Sequence, residues 1–105
     1  MKKIIAVASC PAGIAHTYLA AESLEKAGKK CGYLVKVETE GAGGTSNKLT
    51  KEDITEAVAV IVAADTNVPV ERFRGKPVLF ISTGDAIRSA AKCIQLIEDG
   101  KVDIY

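Results

Sequence analysis

Cys10 lies in the stretch ASCPAGIAHTYLAAE, between an apolar run and a helical pattern, and Pro11, Ala12, Gly13, Ile14, Ala15, His16 and Thr17 follow it. Small residues ahead of a helix let backbone N–H groups converge on one point, and the first helical turn leaves its own N–H groups unpaired. Together they make an anion site. Gly13 allows a positive φ, Ala12 and Ala15 keep side chains out of the way, and Pro11 stiffens the entry. A thiol at the mouth of such a site has two natural tasks. It can attack phosphorus, and it can carry the phosphoryl group it has taken. Cys10 is therefore expected to alkylate faster than Cys31 or Cys93.

Spacing narrows the chemistry. Cys10 and His16 form Cys-(x)5-His, with Thr17 next. Cysteine-dependent phosphatases use Cys-(x)5-Arg followed by Ser or Thr, and their arginine clamps the phosphate through two parallel hydrogen bonds. A histidine offers fewer bonds and a charge that depends on pH. That weakens the case for hydrolysis and suits a site that accepts a phosphoryl group and releases it intact. Cys31 and Cys93 read as small buried hydrophobes. Asp65 reads as a strand-end or turn residue before a catalytic acid. Thr50 and Asp53 read as a helix cap, and Arg72 and Arg74 as a solvated face.

The elements that must position Cys10 are legible as an alternation. Lys3–Ser9 is an apolar run rich in β-branched residues, which predicts a buried strand. From Ala15 to about Lys30 the pattern is helical, with Ala20, Leu24 and Ala27 on one face and Gly28 and Gly32 bracketing its end. Tyr33–Thr39 alternates as a second strand, and EGAGGTSN reads as a loop. A short helix follows Thr50, then a third strand in VAVIVAAD, one helical turn in PVERFRG, a fourth strand in VLFIST and a last helix from Asp85 to Gly100. The tail KVDIY carries no assignable pattern. Strands alternating with helices predict βαβ units. The fold class is therefore α/β, a three-layer α/β/α sandwich with a four-stranded parallel sheet in the order 2-1-3-4. Ligands of such sheets bind outside the carboxyl ends of the strands. Cys10, Asp65, and Thr83 with Gly84 all fall at those ends, and the loop EGAGGTSN faces the same edge.

Composition excludes other classes. A chain of 105 residues predicts one domain, residues 1–105. A net charge of +1 gives no field for nucleic acid or an anionic membrane, and with no Trp and 5% aromatics there is no stacking platform for single strands. No apolar run approaches the roughly 20 residues of a membrane span, and the amino end is too short in apolar residues for a signal peptide. A cytoplasmic location and free thiols are expected. The three cysteines form no metal-ligand spacing, so neither metal nor cofactor is expected.

CPAGIAHTYLAAESL resembles the phosphocysteine loop and first helix of enzyme IIB domains of the fructose group, in the bacterial sugar phosphotransferase system (PTS). The run of that family is close to C-P-T-G-x-A-H-T followed by a small-residue helix. VKVETEG, VIVAAD and RFRGKPV resemble its later segments, so the similarity covers nearly the whole chain. Ala12 departs from the family, which commonly has Thr there, and the tail after Gly100 has no counterpart. The resemblance implies that Cys10 takes a phosphoryl group from a phosphohistidine on a IIA component and becomes S-phosphocysteine. A sugar presented by the membrane IIC component, fructose above all, then receives it. Pro11 to His16 would cradle the phosphate, with Thr17 as a further hydroxyl donor. The partners implied are phosphorylated IIA, membrane IIC at the inner face of the membrane, and the sugar; a monomer is expected. Two other readings stand beside this one. The first is a hydrolase resembling low-molecular-weight tyrosine phosphatases or arsenate reductases, with Asp65 or Asp85 as its acid. The second is a regulatory binding module that does no chemistry.

Overall fold

The computed structural model describes residues 2–10, 14–41 and 44–105. In chain order it holds β1 (Lys2–Ser9), α1 (Ile14–Lys30), β2 (Tyr33–Gly41), β3 (Gly44–Ser46), α2 (Lys51–Glu56), β4 (Ala57–Ala64), a 3-10 turn (Glu71–Phe73), β5 (Val78–Ile81) and α3 (Thr83–Glu98). The sheet order is β3-β2-β1-β4-β5. β1, β2, β4 and β5 are parallel, so the four expected strands take the expected order. Position explains composition. β1 and β4 lie inside the sheet with helices on both faces and read as continuous apolar runs; β2 carries Lys36, Glu38 and Glu40 and alternates.

The sheet has five strands where four were expected. Gly44–Ser46 pairs antiparallel with the end of β2, in the register Thr39 to Ser46, Glu40 to Thr45 and Gly41 to Gly44. All three residues of β3 are exposed. A polar three-residue strand has no periodicity to read. It covers the end of the outer edge of β2, the edge that β1 does not pair with. The tail, which carried no sequence pattern, does the same at the other side. Tyr105 N–H donates to Lys76 O (3.0 Å) and Val78 N–H to Asp103 O (3.1 Å).

α1 and α3 pack on one face against Ile4, Ala6, Ala8, Ile61 and Ala63, with Ala20, Leu24, Ala90 and Ile94 as their contacts. The second face buries Ile5, Val7, Val60 and Val62 under Leu49 and Phe73. Gly28 was expected to mark the end of α1. It lies inside the helix, where a Cβ would collide with Val35, so its role is close approach of α1 to β2. Gly32, at φ +82°, makes the turn out of the helix.

Two ion-pair groups tie the second face together. Thr50 and Asp53 form the expected capping box. Asp53 also binds Lys3 of β1 (2.5 Å) and Lys36 of β2 (2.6 Å), which together hold its carboxyl well below the usual range. Arg72 is not on a solvated face. Its guanidinium makes two parallel bonds to buried Glu38, Nη1 to Oε1 at 3.0 Å and Nη2 to Oε2 at 2.6 Å, and Leu49 N–H adds a third at 2.9 Å. Arg74 pairs with Glu71 at the surface, as expected. Burial alone would raise the Glu38 carboxyl, but these donors outweigh it and hold it at about 2. Glu40 is pushed the other way, first by burial and then by Glu38.

Arg72→Ala leaves Glu38 buried without its partner and should cost about 3 kcal/mol in urea unfolding at pH 7. The pH dependence has a definite sign. Glu38 and Asp53 are depressed in the fold, so their stabilisation is complete above their ordinary values of 4.5 and 3.8 and is lost as the pH falls below them. Stability measured from pH 5 to pH 2 should fall steeply in the parent protein and less steeply in Arg72→Ala.

Candidate active site

All four parallel strands end on one edge. β1 finishes at Ser9, in register with Glu40 of β2 and Ala64 of β4. One step further, Asp65 N–H donates to Ser9 O at 2.9 Å, so the ladder carries Asp65 up beside Cys10. Cys10 is half-buried. The donors to the Asp65 carboxylate come from the first residue of α3, with Thr83 N–H at 3.2 Å and Thr83 Oγ1 at 2.5 Å. Ser82 caps the same helix by accepting from Asp85 N–H at 3.0 Å. The Thr83 hydroxyl and N–H dominate the pull on Asp65 and hold its carboxyl below the usual range, against a smaller push from burial. Cys10 and the charge of His16 add to that pull.

The first turn of α1 supplies Ile14, Ala15, His16 and Thr17. Thr17 is 1% exposed, and its Oγ1 has no hydrogen-bond partner among the described residues. A buried hydroxyl left unpartnered costs free energy, which a ligand oxygen would return. His16 is exposed, near enough to Asp65 for its charge to be felt there. Tyr18 and Leu19, the next two residues, are large, apolar and about half exposed. Pro11, Ala12 and Gly13, the central part of the expected cradle, lie outside the described residues.

Two of the four expected strand ends thus meet in hydrogen bonds, Asp65 and Thr83, and Asp65 N–H ties them to Ser9, next to Cys10. The fourth, the end of β2, places Glu40 beside Ser9. On the other side of Ser9, its hydroxyl lies 2.9 Å from that of Thr66. Cys93 is buried, as expected, but Cys31 is exposed in the turn after α1. A helix end followed by Gly32 faces outward, and nothing packs over it. The clamp of Thr83 on Asp65 was not readable, because the two residues lie 18 apart in the chain. A strand-end Asp followed by a Thr at the next helix start was the one available signal.

Comparisons with known proteins bear on this site. The profile of the family described as "PTS system, Lactose/Cellobiose specific IIB subunit" matches residues 5–96. The chain is 48% identical over 99 residues to the PTS system fructose-like EIIB component 2 of Escherichia coli K12, covering 93% of each. It is 45% identical over 103 residues to the fructose-specific EIIABC component of Bacillus subtilis, and spans 16% of that longer protein. Among solved structures, a domain from the fructose-specific IIABC component of Borrelia burgdorferi superposes with a TM-score of 0.94. It is 41% identical, and 99% of this chain and 98% of that one are covered.

The geometry makes Thr83 a brace as well as a helix start. Thr83→Val should lower stability by about 1–2 kcal/mol in urea unfolding, because the Asp65 carboxylate loses its shortest donor. Thr83→Ser, which keeps the hydroxyl, should restore most of the loss.

Proposed function

This chain belongs to the PTS IIB family and is of its fructose type, and we propose that it relays a phosphoryl group on the sulfur of Cys10. One observation supports this reading above the others. Cys10 directly follows the central strand and precedes α1, whose first turn holds the Thr17 hydroxyl, buried and without a partner among the described residues. The donor is a phosphohistidine on a IIA component. Sulfur attacks phosphorus, the S–P bond forms as the P–N bond breaks, and the thiol proton ends on the released imidazole nitrogen. The acceptor is a sugar hydroxyl presented by a membrane IIC component. Its oxygen attacks phosphorus, the O–P bond forms as the S–P bond breaks, and the hydroxyl proton returns the sulfur to a thiol. With fructose the product is fructose 1-phosphate. In both steps the segment Pro11 to Thr17 holds the phosphoryl oxygens through backbone N–H groups, His16 and the Thr17 hydroxyl.

The half-exposed Tyr18 and Leu19 beside the site offer the apolar contact a docking IIA component needs. No helix among the described residues is long and apolar enough to cross a membrane. On this reading the protein works as a monomer in the cytoplasm and meets the membrane through IIC. The hydrolase reading needs an acid to protonate a leaving group. Thr83 holds Asp65 ionised at neutral pH, so Asp65 does not supply one.

The test is intact mass after mixing the protein with phosphoenolpyruvate, the two general phosphotransferase proteins and a fructose-type IIA. One added phosphoryl group, absent in Cys10→Ser, is the expected result. No added mass beside a IIA confirmed as phosphorylated sinks the proposal. Thr17→Val should slow phosphorylation by ~10-fold or more while leaving stability unchanged or raised, since the hydroxyl it removes has no partner among the described residues.

A further inference from the structure

We propose that the groove between α1 and α3 docks a second protein through an acidic, amphipathic helical segment of that partner. The proposal goes beyond the relay reading and uses none of its residues. α1 and α3 flank a groove of 610 Å³ on the outer side of the helix layer. Its floor is apolar, with Ala27 and Ile87 half-buried against the core and Ala91 exposed. Its lips carry Lys26, Lys29 and Lys30 from α1 and Arg88 from α3, and among the described residues no acidic side chain lines it. Ser23, its first lining residue on α1, lies roughly two and a half turns beyond Ile14. The groove therefore lies beside the carboxyl edge and shares no lining residue with the candidate site.

Charge identifies the occupant. The chain carries 14 Lys and Arg against 13 Asp and Glu, so an even spread would set acids among these cations. Two of the four have partners. Lys26 Nζ lies 2.9 Å from Glu22, and Arg88 Nη2 lies 3.3 Å from Asp85. Both pairs are mostly exposed, so water screens them and each holds its partner weakly. Lys29 and Lys30 have no ion-pair partner among the described residues. As the last residues of α1 they complement its dipole. That role does not account for Lys26, a turn earlier, or for Arg88 on another helix. An apolar floor between cationic lips calls for the reverse pattern: apolar side chains along one stripe, with Asp or Glu on its flanks. That is the face of an acidic amphipathic helix. The groove is open along its length, which suits a length of chain over an enclosed small molecule. A bilayer is flat. It would meet the four cations and leave Ala27 and Ile87 uncovered, so the apolar floor argues against a membrane. A partner seated here leaves the Cys10 edge free.

The test uses the full chain and a synthetic peptide of about 18 residues, long enough to be helical. The peptide has Leu at every third or fourth position and Glu on both flanks, and binding is read by fluorescence anisotropy. It should bind, and a twin with Lys in place of Glu should bind at least ~10-fold more weakly. Lys26→Glu combined with Lys30→Glu should weaken the acidic peptide by ~10-fold or more. Ala91→Gln fills the floor and keeps every charge, and it should weaken binding by ~5-fold or more. Amide NMR shifts on adding the peptide to the parent should cluster at Ala27, Ile87 and Ala91, a readout that needs no variant. An acidic peptide that does not bind overturns the inference. So does binding that charge reversal weakens and Ala91→Gln does not, because that is diffuse attraction with no seat in the groove. Vesicles of phosphatidylglycerol and phosphatidylcholine test the other surface. Capture by them beside a silent peptide, lost on reversing Lys26 and Lys30, gives the groove to a membrane and overturns the inference too. Cys10→Ser should bind the peptide as the parent does, so a failed relay leaves this test standing.

Discussion

The site depends on β1 being held on both sides. β2 and β4 pair with it in parallel along nearly its whole length, and their last pairs, Ser9 with Glu40 and with Ala64, leave the chain no freedom at the edge. Cys10 is the first residue released from that ladder. A residue one step past a doubly paired strand inherits the rigidity of the sheet, and α1 begins only four residues later. The apolar composition of β1 is the source of this arrangement. Ile4 to Ala8 are fully buried, with Ile4, Ala6 and Ala8 on one face and Ile5 and Val7 on the other. A strand with one wet face could not sit in the middle of this sheet, and its end would not be so firmly placed.

The two faces divide the work. On the α1 and α3 face alanines dominate, so the helices lie close to the sheet and their first turns reach its carboxyl edge. On the other face the packing is completed by charge. Glu38 shares the face of Val7 with apolar neighbours, and Arg72 reaches it from the 3-10 turn while lying over the Phe73 ring at 4.8 Å. Such a pair adds little net stability over an apolar substitute. Its geometric demand is strict, however. It fixes the segment after β4 against the end of β2, near the edge where Cys10 and Asp65 meet. Glu40, two residues beyond Glu38 and on the same face, shares that environment and holds its proton more tightly as a result.

What could be read from the sequence is what local pattern encodes. The apolar run before Cys10, the small residues after it, the helical spacing of Ala20 and Leu24, and the Thr50–Asp53 box are all written within a few residues. They gave the layers, the strand order of the parallel core and the place of the thiol. The family resemblance, carried by CPAGIAHTYLAAESL, extended this to chemistry. What escaped reading was set by distance along the chain. Glu38 and Arg72 are 34 residues apart, and neither shows in its own neighbourhood that it has a buried partner. Lys3 and Asp53 are 50 apart, so a residue recognised as a cap turned out also to join two strands to a helix. Gly28 looked like punctuation because glycine usually is; only the path of Val35 reveals the close approach. β3 is too short and too polar to announce itself.

On the reading proposed above, His16 and Asp65 together favour relay over hydrolysis at this edge. A hydrolase must bind phosphate tightly in the transition state and then protonate a leaving group, which calls for a fixed cation and a neutral acid. Here the residue in the arginine position is a histidine on an exposed first turn, and the nearest carboxyl is kept ionised by Thr83. Each change weakens water-driven turnover. On the proposed reading each would also lower the hold on a phosphoryl group, which a relay can tolerate because its product is the departure of that group. On that reading the Thr17 hydroxyl, buried and without a partner among the described residues, marks the limit of this weakening.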